Sequence, residues 1–256
     1  MKMKILLLGL LVASSLWAKE LIVVGVSPAP FDEIMEFVRP AIEKKGYKLK
    51  IIEFTDYAIP NVALNDGKLD ANLFQHKPYL EEFNRSKGTN LVATTSVAIF
   101  PMGVYSKRIK NINELVNGAT VSIPNDPTNE NRALEILEQA KLIELKKGKG
   151  FKTPKDITKN PKNLKFKELK AAQLPRSLDD VDISIINTNY ALDYGLNPTK
   201  DAIFLEKKDS PYANFVVVRG EDKDSIKTKV IDEALRTKEL REFILKKYDG
   251  SVIPTF

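Results

Sequence analysis

Leu21-Ile-Val-Val-Gly-Val-Ser-Pro28, then Phe31 to Lys45 with Gly46 behind it, then Lys48 to Phe54: this opening stretch decides the fold. The first run is short, apolar and β-branched and stops at Ser27-Pro28, the pattern of a buried strand. In the second, Phe31, Ile34, Met35, Val38 and Ile42 recur on one helical face, and Gly46 supplies the stop. Pro40 inside that pattern predicts a kink or a break, because it has no N–H to give to the preceding turn. The third run alternates like another strand. A strand, a helix and a strand in close succession make a βαβ unit, and a crossover of that kind implies parallel pairing.

The same alternation continues along the chain. Ile59 to Asn65 reads as a helix stopped by Gly67, Tyr79 to Ser86 as another, and Leu91 to Val97 as a strand. A second series begins near Val104, with a helix over Ile112 to Val116, a strand over Ala119 to Ile123 and a helix over Asn129 to Ala140. A polar stretch, Lys146 to Asn163, separates these from strands over Phe166 to Leu169 and Val181 to Ile186. Asn189 to Tyr194 follows as a helix, then strands over Ala202 to Leu205 and Asn214 to Val218, then helices over Ser225 to Arg236 and Glu239 to Lys247. The pattern predicts an α/β protein of two lobes, each a mixed, mostly parallel sheet flanked by helices. Residues 19–104 and 211–256 are assigned to the first lobe and 105–210 to the second. Ligands of such folds sit in the crevice outside the carboxyl ends of the strands.

With 256 residues, 43% of them hydrophobic, the chain can bury a sizeable core. Residues 1–18 have the layout of a secretory signal: Lys2 and Lys4, an apolar run from Ile5 to Ala13, then a small-residue exit, Ser14 to Ala18, interrupted by Leu16 and Trp17. That run is too short to span a bilayer, and no later stretch is long enough. There is no cysteine. Disulfides, thiolate metal sites and a lipid-bearing cysteine are therefore excluded for this sequence, and an exported, unanchored protein of the periplasm is expected. A single histidine argues against a transition-metal site, and no cofactor motif stands out. The net charge of +6 is concentrated in lysines from Lys146 to Lys167. Only Phe151 and Phe166 interrupt that stretch, so it reads as a solvated surface and not as a nucleic-acid interface, which interleaves base-stacking aromatics.

Two segments carry the candidate site. Asp70-Ala-Asn-Leu-Phe74-Gln-His76-Lys-Pro-Tyr79 is dense in aromatic rings and amides, with Tyr57 upstream; such rings make an apolar slot with polar tips. Asn125-Asp-Pro-Thr-Asn-Glu-Asn-Arg132 opens a helix, and unpaired N–H groups there favour an anion. The Arg132 guanidinium can grip a carboxylate through two parallel bonds, or can be a surface group paired with Glu130 or Glu135. Asn187, at the carboxyl end of a buried strand, and Asn214, at the start of another, offer donor and acceptor together. His76 has no serine or orienting carboxylate at suggestive spacing, so it suits a pocket wall better than a general base. Together these residues predict capture of a small amphipathic amino acid. A hydrolase or lyase using His76 as base is the rival reading.

The chain also resembles the NlpA-type family of methionine-binding proteins, the extracytoplasmic components of methionine ABC importers. The matching stretches are Phe54-Thr-Asp-Tyr57-Ala-Ile-Pro-Asn61-Val-Ala-Leu-Asn-Asp-Gly67, the segment from Asp70 to Leu80, Ile123 to Leu134, Ile186-Asn187-Thr-Asn-Tyr190-Ala191, and Asp209-Ser-Pro-Tyr-Ala-Asn214. The resemblance implies a type II-like periplasmic binding protein fold, lobes joined by crossing strands, and L-methionine or a close analogue enclosed between them. Another apolar amino acid or a methionine-containing dipeptide would fit the same slot. It implies Arg132 on the carboxylate, Asn187 and Asn214 on the amino-acid backbone, and Tyr57, Phe74, His76 and Tyr79 around the side chain. An inner-membrane permease is the implied partner, with the protein a monomer. The family is typically lipid-anchored through a cysteine, which this sequence lacks.

Overall fold

A computed structural model describes residues 19–207 and 209–256; the expected signal peptide, 1–18, lies outside the described residues. In chain order come β1 (Glu20–Val26), α1 (Phe31–Lys44), β2 (Tyr47–Glu53), α2 (Ile59–Asn65), β3 (Ala71–His76), α3 (Lys77–Lys87) and β4 (Leu91–Ile99). A second unit follows: β5 (Gly103–Tyr105), β6 (Thr120–Pro124), α4 (Pro127–Gln139), β7 (Glu144–Leu145), β8 (Ile157–Lys159), β9 (Lys165–Leu169), α5 (Leu174–Ser177), β10 (Ile183–Ile186), α6 (Thr188–Asp193), α7 (Pro198–Asp201) and β11 (Phe204–Leu205). The chain closes through β12 (Ala213–Arg219), α8 (Ile226–Ala234), α9 (Lys238–Tyr248) and β13 (Ile253–Pro254).

The opening βαβ unit forms as its sequence predicts. β1 and β2 pair in parallel from Glu20↔Tyr47 to Val26↔Glu53, and the stripe Phe31, Ile34, Met35, Val38 and Ile42 is buried on β1 and its neighbours. Pro40 does not break α1. Its exposed position explains this: the carbonyl it leaves unpaired, that of Glu36, lies on the solvated side, where water can reach it.

The strands form two main sheets, ordered β13-β4-β12-β3-β1-β2 and β11-β5-β10-β6-β9. The expected dominance of parallel pairing needs correction. In the first sheet β12 runs antiparallel to both β3 and β4, and in the second β5 runs antiparallel to β10 and β11. Each sheet is parallel at one end only, because the strands that carry the chain between lobes enter against the direction of the βαβ units. The chain crosses from the first sheet to the second between β4 and β5 and returns between β11 and β12. β5 belongs wholly to the second sheet, so the switch falls just before the boundary expected at 104/105.

Helices cover each sheet and bury two principal cores. One gathers Ile22, Val24, Ile34 and Met35; the other Val121, Ile123, Leu134 and Ile183. The lysine-rich stretch lies on the surface around the two-stranded β7–β8 sheet.

Gly103, at the first residue of β5, admits no side chain. A Cβ there would stand 2.7–2.8 Å from the ring and hydroxyl of Tyr105, which is itself buried. Gly103→Ala is therefore expected to destabilise the protein by about 1–3 kcal/mol through overpacking. Urea unfolding should show this as a lower midpoint at unchanged slope.

Candidate functional site

β3 delivers the aromatic segment to the site. All six of its residues are buried, and its two amide side chains are satisfied within the first lobe: Asn72 Nδ2 donates to Asn61 Oδ1 at 2.9 Å and Asn61 Nδ2 to Gln75 Oε1 at 2.8 Å. This amide ladder holds the strand against α2 and leaves Phe74 and His76 at the strand's carboxyl end. The strand itself was not read from the sequence, because full burial erases the alternation that marks a half-exposed one.

His76 caps α3, its Nδ1 accepting the Tyr79 N–H at 3.2 Å. That bond fixes the tautomer: the proton sits on Nε2 and is donated to Asn129 Oδ1 at 3.2 Å. Burial, reinforced by the Arg132 charge, pushes the imidazole down to about 3. Asn129, in the first turn of α4, is in turn oriented by Asp126, whose carboxylate accepts from its side-chain Nδ2 at 3.0 and 3.1 Å. Burial raises the Asp126 carboxyl, against the hydrogen bonds from Asn129 and Thr128. Asn129 Oδ1 also accepts from Asn187 Nδ2 at 2.9 Å. The chain of donors ends there, and Asn187 Oδ1 is buried with no partner among the described residues.

Arg132 departs from its expected setting. It lies in the second turn of α4, beyond the free N–H groups of the helix start, and it is buried, with neither Glu130 nor Glu135 as partner. Its Nε and Nη2 grip Glu206 at 3.0 and 2.5 Å, and Nη2 also donates to the Phe100 carbonyl at 2.9 Å. Tyr212 lies over the guanidinium at 4.4 Å, a favourable placement for a cation on a ring face. The two-bond fork expected for a ligand is thus occupied by an internal carboxylate, and Nη1 alone has no hydrogen bond among the described residues.

All seven residues singled out from sequence, Tyr57, Phe74, His76, Tyr79, Arg132, Asn187 and Asn214, line one cavity between the lobes, about 350 Å³ of non-atom space. Tyr57, Phe74 and Tyr79 form a triangle of rings with centroids 5.8–6.1 Å apart. Two bonds close it from the second lobe, Tyr57 Oη to Asn189 Oδ1 at 2.5 Å and Tyr190 Oη to the Thr55 carbonyl at 3.1 Å. Asn214 stands opposite His76 in the β3–β12 register. Sequence reasoning missed Phe31 and Phe100, which also line the cavity and pair at 4.6 Å; each reads as ordinary core within its element. It missed Glu206 too, for which no local signal exists.

Two lobes closing on a cavity with one cation, oriented amides and a ring cluster define a binding protein of the periplasmic type. Comparison with known proteins makes the assignment specific. The NlpA lipoprotein family model matches residues 22–256, and the chain belongs to that family. A probable D-methionine-binding lipoprotein MetQ of Pasteurella multocida is 46% identical, with 90% of this chain and 84% of that protein covered. The D-methionine-binding lipoprotein MetQ of Escherichia coli K12 is 44% identical, with 90% and 86% covered. Among solved structures, a nutrient binding protein from Burkholderia cenocepacia bound to methionine superposes with a TM-score of 0.89 at 48% identity, with 92% of this chain and all of that one covered. Lipoprotein Tp32 of Treponema pallidum gives 0.90 at 34% identity, with 93% and 100% covered.

These relatives correct the expectation of an unanchored protein. The two MetQ proteins and Tp32 are lipoproteins by name, so the lack of an anchor inferred from the cysteine count does not stand, while a periplasmic location is consistent with them.

His76 is the sole histidine, so its ring resonances can be followed without ambiguity. They should not titrate between pH 5 and 8. Because the folded value is depressed from 6.5 to about 3, the unfolded chain binds the extra proton first on acidification. Stability then falls as pH drops from about 6.5 towards 3, by at most about 1.4 kcal/mol per pH unit from this group. Denaturation at a series of pH values should show the slope, and His76→Asn should flatten it.

Proposed function

We propose that this protein is the substrate-binding component of an ABC importer, capturing methionine between its lobes and handing it to an inner-membrane permease as a monomer. The observation that carries this reading is the polarity left over in the cavity. Among the described residues one guanidinium nitrogen, Arg132 Nη1, has no protein acceptor, and one amide oxygen, Asn187 Oδ1, has no donor. A zwitterion supplies the complement of both: its carboxylate takes a bond from Nη1 and its ammonium gives one to Oδ1. Asn214 completes the grip on the amino-acid backbone, and the thioether lies among Tyr57, Phe74, His76 and Tyr79, where sulfur–aromatic contacts add about 0.3–1.5 kcal/mol. The methionine-bound Burkholderia cenocepacia structure supports the choice of ligand.

Burying the side chain contributes roughly 1.5–3 kcal/mol and the charge-assisted bond about as much. With the amide contacts, micromolar binding, about −8 kcal/mol, is within reach. An apolar slot separates ligands one methylene apart by only about 1–3 kcal/mol, so leucine, norleucine and methionine dipeptides belong in the same assay. A binding role, in preference to catalysis, is supported by His76: both ring nitrogens are engaged, and a group protonating near 3 is a weak base at neutral pH.

Calorimetric titration of refolded, ligand-stripped protein should show methionine binding at micromolar or tighter affinity and a raised melting temperature. Asn187→Ala should weaken it by about ten- to a hundredfold, the cost of an unpaired buried ammonium donor. No heat and no thermal shift with any of the apolar amino acids would refute the reading.

A further inference from the structure

The cation that faces the cavity is already matched by an anion of the protein. Arg132 and Glu206 are 3% and 4% exposed. Each Glu206 oxygen accepts two bonds, Oε1 from Arg132 Nε and from Ser210 Oγ at 3.0 and 2.9 Å, Oε2 from Arg132 Nη2 and from the Met102 N–H at 2.5 and 3.0 Å. Met102 lies on the first crossing between lobes and Ser210 on the return, so Glu206 is held by the frame of the molecule and not by the arginine alone. The other titratable groups beside the cavity add no positive charge. His76 is neutral at physiological pH, and Asp126 is an acid engaged by Asn129 and Thr128.

We infer that Glu206 is a specificity-determining residue: by cancelling the Arg132 charge it makes the cavity admit an amino acid that brings its own ammonium, and turn away a carboxylate of the same shape that lacks one. This rests on the amino-acid capture proposed above. A net anion entering a buried space loses its hydration and meets no net positive charge there. A zwitterion enters with no net charge, and its ammonium finds Asn187 Oδ1. Of the guanidinium, among the described residues only Nη1 is left for the ligand, so the carboxylate is held from one nitrogen and not by the full fork, and the ammonium becomes a requirement.

Two ligands with the same tail test this: L-methionine and 4-(methylthio)butanoate, which is methionine without its amino group. Dissociation constants are measured by calorimetry on the parent protein, Glu206→Gln and Glu206→Asp, with melting temperatures as a check on folding. In Glu206→Gln the preference for methionine over the butanoate should fall at least tenfold, and Glu206→Asp, which keeps the charge, should retain the parent's preference. If Glu206→Gln weakens both ligands together and leaves their ratio unchanged, Glu206 only positions the guanidinium and the inference fails. Should Glu206→Gln not fold, Arg132→Gln and the double variant Arg132→Gln/Glu206→Gln give the same information with methionine and methioninamide. The cationic amide should gain on methionine when Glu206 stands alone and lose that gain in the double variant; equal ratios overturn the inference. A parent protein that binds no amino acid refutes the proposed function instead.

Discussion

The buried pair of Arg132 and Glu206 is the constraint around which this molecule is arranged. Withdrawing two such charges from water costs several kcal/mol per ion, and their mutual attraction compensates only if the remaining donors and acceptors are met. Here they are met by the chain crossings: the Phe100 carbonyl and Met102 N–H on the way out, Ser210 on the way back. The ion pair therefore joins both connecting segments to helix α4 in the second lobe. The same guanidinium reaches the cavity, so the frame of the molecule and the site are built on one side chain.

Around that pair the polar side chains leave little choice of orientation. The Tyr79 N–H sets the histidine tautomer and Asp126 sets the Asn129 amide, and Asn129 then sets Asn187. Each step is local and none needs a ligand. The cavity is thereby prepared with an outward acceptor at a defined place, which lowers the ordering cost that binding would otherwise incur.

What could be read from the sequence follows from periodicity and from short segments. The stripe on α1 was legible because its five apolar residues repeat at helical spacing over one continuous stretch. The seven cavity residues were legible because they fall in short segments rich in aromatic rings and amides. β3 was not, since a strand buried on both faces shows no alternation and this one hides amides that pair with α2 and with each other. Nor was the partner of Arg132. Glu206 lies 74 residues away, on a segment with no motif, and only the crossing of the chain brings the two together. The parallel share of the sheets was overread for a similar reason: local βαβ patterns report their own pairing and say nothing of a strand that returns from the other lobe.

That returning strand has a consequence for how the molecule is made. β12 lies in the middle of the first sheet, between β3 and β4, yet it comes after every strand of the second. The second lobe is a continuous segment and can complete its core as soon as it has been synthesised. The first lobe, although begun earlier, stays split into two unjoined halves until almost the end of translation, its inner strand edges open in the meantime. The protein is thus finished from the inside of its sequence outward, with the older lobe the last to close.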